Sequence, residues 1–207
     1  YHTAYGTVFI VLLPLLSGIP FSATYFRDSN SGYMKNVFQK VRRKNYYVSK
    51  YMACFTIGFM TIFIPLLLSF MLVCTHLPIL KPNPFAYEGT LSDDSFLSVL
   101  FYRQPVLYVL IYIIIDSVIG GVFSVFPLCI ARYCRSSFSV ISIPFAFFII
   151  SGSICEQLGC TSISVYEMIN PQQNYSMNGV CISLWIIISI IITIYIFCVV
   201  NEKKDVF

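Results

Sequence analysis

Five apolar runs, at about 7–25, 51–74, 105–131, 138–154 and 179–200, contain one charged side chain between them, Asp116. About 20 apolar residues in a helix cross the roughly 30 Å hydrocarbon core of a bilayer, and a helix satisfies its own backbone hydrogen bonds there. Charged residues make up 11% of the chain, less than half of the roughly 25% usual in soluble domains. The expected fold is an all-α polytopic membrane protein, with 1–207 as a single transmembrane domain. Five transmembrane helices are expected here and six in the complete subunit, the extra one preceding Tyr1. No basic stretch precedes the first run, so a cleavable signal peptide is not recognised.

The orientation follows from the segment 26–50. Seven of the thirteen Lys and Arg residues lie in it (Arg27, Lys35, Lys40, Arg42, Arg43, Lys44 and Lys50) against one acid, Asp28. Lys and Arg are retained on the cytoplasmic side of membrane spans, so this segment is expected to face the cytosol. Arg132 and Arg135, then Lys203 and Lys204, fall on the same side, giving it eleven of the thirteen bases. The loops 75–104 and 155–178 are turn-rich and net acidic and belong outside. Short helices are expected within both, at 95–102 and in 155–178. The net charge of +4 is therefore membrane topology and no sign of nucleic acid.

Within the basic segment, Tyr33, Met34, Val37, Phe38 and Val41 fall within about 140° of a helical wheel. Lys35, Asn36, Gln39, Lys40 and Arg42 fill the rest, and Asn30 or Ser31 can cap the start. Two readings fit this periodicity: a helix resting on anionic lipid headgroups, or one presenting its apolar stripe to a cytoplasmic partner.

The first run carries Pro14, Gly18 and Pro20, which predict a kinked or irregular helix. A carboxylate at mid-membrane depth costs at least about 2.5 kcal/mol, so Asp116 should face the bundle interior or water. It can serve a substrate path, a subunit contact, or a hydrogen bond that locks its helix to a neighbour. Gly120 and Gly121, one turn on, allow a close helix approach.

Chemistry-bearing motifs are absent. The sequence has no GxxxxGK[ST] phosphate loop, HExxH or GxSxG, so no catalytic residue, bound cofactor or metal site is assigned. Cys155 and Cys160 share a polar external loop and are a candidate disulfide. Asn174-Tyr175-Ser176 is a formal glycosylation sequon.

The order of these features resembles the membrane subunit of type-2 ABC exporters. A proline-broken span is followed by an acid and a glycine (Asp28, Gly32), an amphipathic helix and a basic patch. Arg43-Lys44-Asn45-Tyr46-Tyr47-Val48-Ser49-Lys50 then matches an Arg-x-x-Tyr-x-x-x-Lys-like entry into the next span. The chain departs from the pattern where Val41-Arg42 replaces the family's proline, and in showing five spans instead of six. The resemblance implies a dimer of permeases, identical or related, docked on two cytoplasmic ABC ATP-binding subunits that carry the ATP and Mg. The segment 32–41 would be the coupling helix. Gly32, Tyr33, Met34, Val37, Phe38, Val41, Arg43, Tyr46 and Lys50 would form the ATPase-docking set.

The function this implies is ATP-driven export of a hydrophobic or amphipathic substrate, such as a peptide, lipid or drug, across the cell membrane. The chain itself would be no enzyme. The alternative is a non-transporting sensor or immunity protein that binds an antimicrobial peptide. A secondary transporter is disfavoured by the lack of an internal repeat.

Overall fold

A computed structural model describes residues 4–21, 24–76, 96–134, 136–159, 164–170 and 179–201. All regular structure among them is helical: α1 Ala4–Gly18, α2 Thr24–Asn30, α3 Tyr33–Phe38, α4 Arg43–His76, α5 Ser98–Arg103, α6 Pro105–Ile130, α7 Ser137–Gln157, α8 Val165–Ile169 and α9 Gly179–Ile194. A 3-10 turn, Ala131–Tyr133, follows α6, and α9 continues as a π-helical segment, Tyr195–Asn201. Four helices are long and apolar enough to cross a membrane: Arg43–His76, Pro105–Ile130, Ser137–Gln157 and Gly179–Cys198. The chain is a multi-pass helical membrane protein.

The helix boundaries differ from the apolar runs for local reasons. In the first run α1 stops at Gly18, and the next helix begins at Thr24, whose hydroxyl donates to Phe21 O at 2.7 Å. Gly18 and Pro20 break the run, so its 15-residue helix is shorter than the full stretch. Pro14 removes one backbone donor inside α1, and the buried Ser17 hydroxyl donates to Pro14 O at 3.2 Å. At the second run the reverse happens: the basic entry and the apolar stretch are one helix of 34 residues. At 1.5 Å per residue it is about 50 Å long, well beyond the hydrocarbon core, so its Arg43 end projects past the membrane. α7 runs on through Cys155 to Gln157, and its start is capped by Ser136, whose Oγ accepts from Ser139 N at 3.2 Å.

α6 is the central post, with α1, α4, α5, α7, α8 and α9 packed around it. Its closest partner is α4, whose buried stripe is Tyr47, Tyr51, Cys54, Gly58 and Ile62. The stripe recurs every three or four residues and, apart from Ile62, is made of small or polar-tipped side chains. The opposite face, including Met60, Ile64, Leu68 and Leu72, is exposed aliphatic surface, as lipid contact requires. The two helices touch where Gly58 faces Ser124 and Gly120 faces Ile62. A Cβ at Gly120 would lie 2.6 Å from Ile62 Cγ1, and one at Gly58 would collide with Ser124. Cys54 Sγ donates to Ser124 O at 3.0 Å while Ser124 Oγ donates to Cys54 O at 3.1 Å, so the seam carries reciprocal hydrogen bonds. The expected close approach at Gly120 and Gly121 is thus used against α4, Gly121 lying under the ring of Phe55.

α8 tucks its Val165, Met168 and Ile169 into a core shared with Ile10, Leu13, Ile119, Phe123, Phe148 and Ile182. A second cluster, at the basic end, joins Tyr25, Tyr47, Tyr51, Val125, Leu128, Val140 and Phe197.

Candidate functional site

The segment joining α1 to α4 is built on Asp28. Lys50 Nζ lies 2.7 Å from Asp28 Oδ2, and Tyr46 OH donates to the same oxygen at 3.2 Å. Tyr46 and Lys50 are one helical turn apart on α4, so both reach one carboxylate on α2. The two charged side chains are 25% (Asp28) and 11% (Lys50) exposed. A charge-assisted hydrogen bond of this kind contributes about 1.5–3 kcal/mol. Lys50 Nζ also stands 4.7 Å from the centre of the Phe21 ring.

Aromatic packing makes the second tie. The Phe38 ring is 5.5 Å from Tyr46, edge to face, and 6.2 Å from Tyr47, with the Arg43 guanidinium 5.5 Å above it. Tyr47 is fully buried and meets Phe197 at 5.3 Å and Tyr25 at 6.3 Å. The π-helical segment after α9 carries Phe197 into this block. α2, α3, α4 and the end of α9 therefore meet in one aromatic cluster.

The predicted docking set is split by this arrangement. α3 has six residues, and both Lys40 N and Val41 N turn back to Val37 O at 3.0 Å, so the chain leaves the helix after Phe38. Val41 sits in the bend beyond it and does not continue the wheel. Tyr33 and Val41 are exposed, at 54% and 44%, together with Lys40, Arg42 and Lys44. Val37 and Phe38 are half-buried, while Arg43, Tyr46 and Lys50 spend their polar groups or stems on contacts within the chain. The backbone of Met34 lies in α3, and its side chain is outside the described residues. The expected cap at Asn30 or Ser31 is replaced: Asn30 ends α2, Ser31 Oγ donates to Asp28 O at 3.3 Å, and Gly32 starts α3 at φ 72°. A left-handed residue is needed there to turn the chain between two short helices, and glycine adopts it without a steric penalty.

Asp116 sits mid-way along α6 with no exposed surface, and neither carboxyl oxygen has a hydrogen-bond partner among the described residues. Its neighbour Ser117 commits its hydroxyl to Ile113 O at 2.6 Å. The hydrogen-bonded lock expected for Asp116 is not formed with any described residue. On α8, Glu167 Oε2 is likewise buried without a partner among the described residues. Burial first, then the negative charge of Glu156, pushes the Glu167 carboxyl up from the ordinary glutamate value. Cys155 lies on the last turn of α7; Cys160 and the sequon at Asn174 are outside the described residues, and so is the candidate disulfide.

Comparison of the chain with family models, curated proteins and solved structures finds no match.

The wheel did not single out Asp28, Phe21 or Tyr47. The available signal was that Asp28 is the lone acid among seven bases; the aromatic hub had none, since Tyr is equally at home at a membrane interface.

Proposed function

We propose that this chain is the permease subunit of a type-2 ABC exporter in the cell membrane. In this reading two permease subunits, identical or related, sit on two cytoplasmic ATP-binding chains, which bind and hydrolyse ATP with Mg. The substrate is hydrophobic or amphipathic, such as a peptide, lipid or drug. The observation that supports it is the mechanical tie of the short helices α2 and α3 to the long membrane-crossing α4, α2 through Asp28 to Lys50 and Tyr46 and α3 through Phe38 to Tyr46.

A partner that moved α3 by a few ångströms would not merely bend a loop. The Phe38 ring would pass the displacement to the first turns of α4 directly, and the Asp28 carboxylate would pass it through α2. The Gly58–Ser124 and Gly120–Ile62 contacts would then pass it to α6 without slack. Tyr33 and Val41 are exposed apolar side chains on a segment that also exposes Lys40, Arg42 and Lys44. Such a surface suits an acidic-edged groove on a protein.

Affinity purification of the full chain from its own cells tests the reading. The expected result is an ATP-binding chain in stoichiometric amount, lost when Tyr33 and Val41 are both changed to Asp while the permease still elutes as a folded species. A purified protein that retains no ATP-binding chain and binds an antimicrobial peptide without moving it would overturn the proposal.

A further inference from the structure

α4 carries two neighbouring rows of side chains from its basic end into the bilayer. Lys44, Val48, Met52, Thr56, Met60 and Ile64 stand four residues apart, and every one of them is exposed. Asn45, Ser49, Ala53, Ile57 and Thr61 form the adjacent row, exposed at Asn45 and Ser49 and half-buried from Ala53 on. Side chains at four-residue spacing make a ridge inclined to the helix axis, and two adjacent ridges enclose a groove. Thr56, Ile57, Met60, Thr61 and Ile64 line such a groove, of about 300 Å³.

The groove is apolar although two of its residues are threonines. Thr56 Oγ1 donates to Met52 O at 2.8 Å and Thr61 Oγ1 donates to Ile57 O at 2.7 Å, so both hydroxyls are spent on the backbone of the helix itself. Further up the same row, the small side chains of Ala53 and Ser49 leave the way open towards Lys44, and the Ser49 hydroxyl donates to Asn45 O. From Thr56 to Ile64 α4 rises about 12 Å, close to the roughly 15 Å that one leaflet of hydrocarbon occupies. That shape and length suit an acyl chain.

The other end of the strip is cationic. Lys44 and the adjacent Arg42 are exposed, and Lys44 lies about 18 Å along the helix from Thr56. Between residues 26 and 76 the one acid is Asp28, which already holds Lys50 and Tyr46. The charge that matches Lys44 and Arg42 is therefore not supplied by this stretch, and at the surface of a bilayer lipid phosphate supplies it. A zwitterionic headgroup would bring a cation of its own towards the two bases; a net anionic one would not.

We propose that this face of α4 is a binding site for an anionic glycerophospholipid, with the headgroup phosphate at Lys44 and Arg42 and an acyl chain in the groove from Thr56 to Ile64. The bound lipid fixes the depth of α4 in the bilayer, since the phosphate holds the basic end at headgroup level while the chain fills the groove. The site uses neither Tyr33 nor Val41, so it holds whether or not an ATP-binding chain docks at α3.

Quenching by brominated lipid tests it on the full chain. Trp185→Phe removes the one tryptophan, and Met52→Trp sets an indole on the exposed row between Lys44 and the groove. The protein is placed in phosphatidylcholine vesicles holding a minor share of phosphatidylglycerol, with one lipid or the other brominated on its acyl chains. Brominated phosphatidylglycerol is expected to quench well beyond its share of the mixture. Lys44→Gln should cut that excess about fivefold, the effect of one base at a lipid surface, and Ala53→Leu, which fills the groove wall, should abolish it. Lys40→Gln, outside α4, and added inorganic phosphate should leave it unchanged. Equal loss on changing Lys40 or Lys44 would mean diffuse surface charge, relief by phosphate a site for the free anion, and no quenching by either lipid a face covered by a second copy of the chain; each overturns the proposal. If the tryptophan variants fail to fold, mass spectrometry of the unaltered chain purified in mild detergent is read instead. Stoichiometric anionic phospholipid is then expected, and its absence overturns the proposal.

Discussion

Asp28 and Lys50 are twenty-two residues apart in the chain and meet at 2.7 Å, closing the basic segment into a loop whose two ends are α2 and α4. The contact makes the segment a rigid attachment. Lys50 begins the apolar part of α4, so its ammonium must reach back out of the membrane, and Asp28 is where it arrives.

The pair should behave as a coupled unit. Asp28→Asn and Lys50→Met each lower the melting temperature of the protein in detergent. The double variant loses less than the sum, with a coupling free energy of about 1.5–3 kcal/mol from the double-mutant cycle. Additive losses would show that the contact contributes nothing to the fold.

The seam between α4 and α6 has no room for a methyl group. Gly58→Ala is expected to destabilise by about 1–3 kcal/mol through overpacking against Ser124. Adding Ser124→Gly, which removes the colliding side chain, should restore part of the thermal stability. A Gly58→Ala protein that melts like the parent would place the helices farther apart than described.

Phe38 and Tyr33 are one stripe on the wheel and separate on the molecule. Phe38→Ala strips the aromatic contacts to Tyr46 and Tyr47 and should cost about 1 kcal/mol or more in stability. Tyr33→Asp changes an exposed side chain, and its melting point should stay within about 0.5 kcal/mol of the parent while recovery of an ATP-binding partner falls. Thermal melts and pull-downs on the same two preparations separate the roles.

Glu167 sets a pH dependence of definite sign. Its carboxyl is held above the ordinary value by burial and by Glu156, so the folded state binds the proton more tightly than the unfolded chain. Stability should therefore rise as pH falls from neutral towards about 4.3, the unperturbed glutamate value. Glu167→Gln should raise the melting temperature at neutral pH and flatten that part of the profile. A variant that keeps the parent's pH profile assigns the dependence to another group.

Much of this was legible before any coordinates. The second, third, fourth and last apolar runs became membrane-length helices because uncharged stretches of that length have one stable form in lipid. Pro14, Gly18 and Pro20 marked the first run as irregular, and α1 ends at Gly18. The short helix of the basic segment was visible in the spacing of Tyr33, Val37 and Phe38. Its end was not, because the turn back to Val37 O after Phe38 carries no proline or glycine to announce it.

The sequence by itself determined the class of the protein, its helices and the concentration of base in one segment, because each depends on composition over a window of about one helix length. Tertiary structure alone decided which face of α4 is buried, that Phe38 turns inward, that Asp28 receives Lys50, and that Asp116 has no hydrogen-bond partner among the described residues. In lipid an apolar helix has no hydrophobic face to declare: both sides of α4 are acceptable to hydrocarbon. What sorts them is the close fit of Gly58 and Ser124 and a few polar tips that must find each other, and such fits exist only once two helices are side by side.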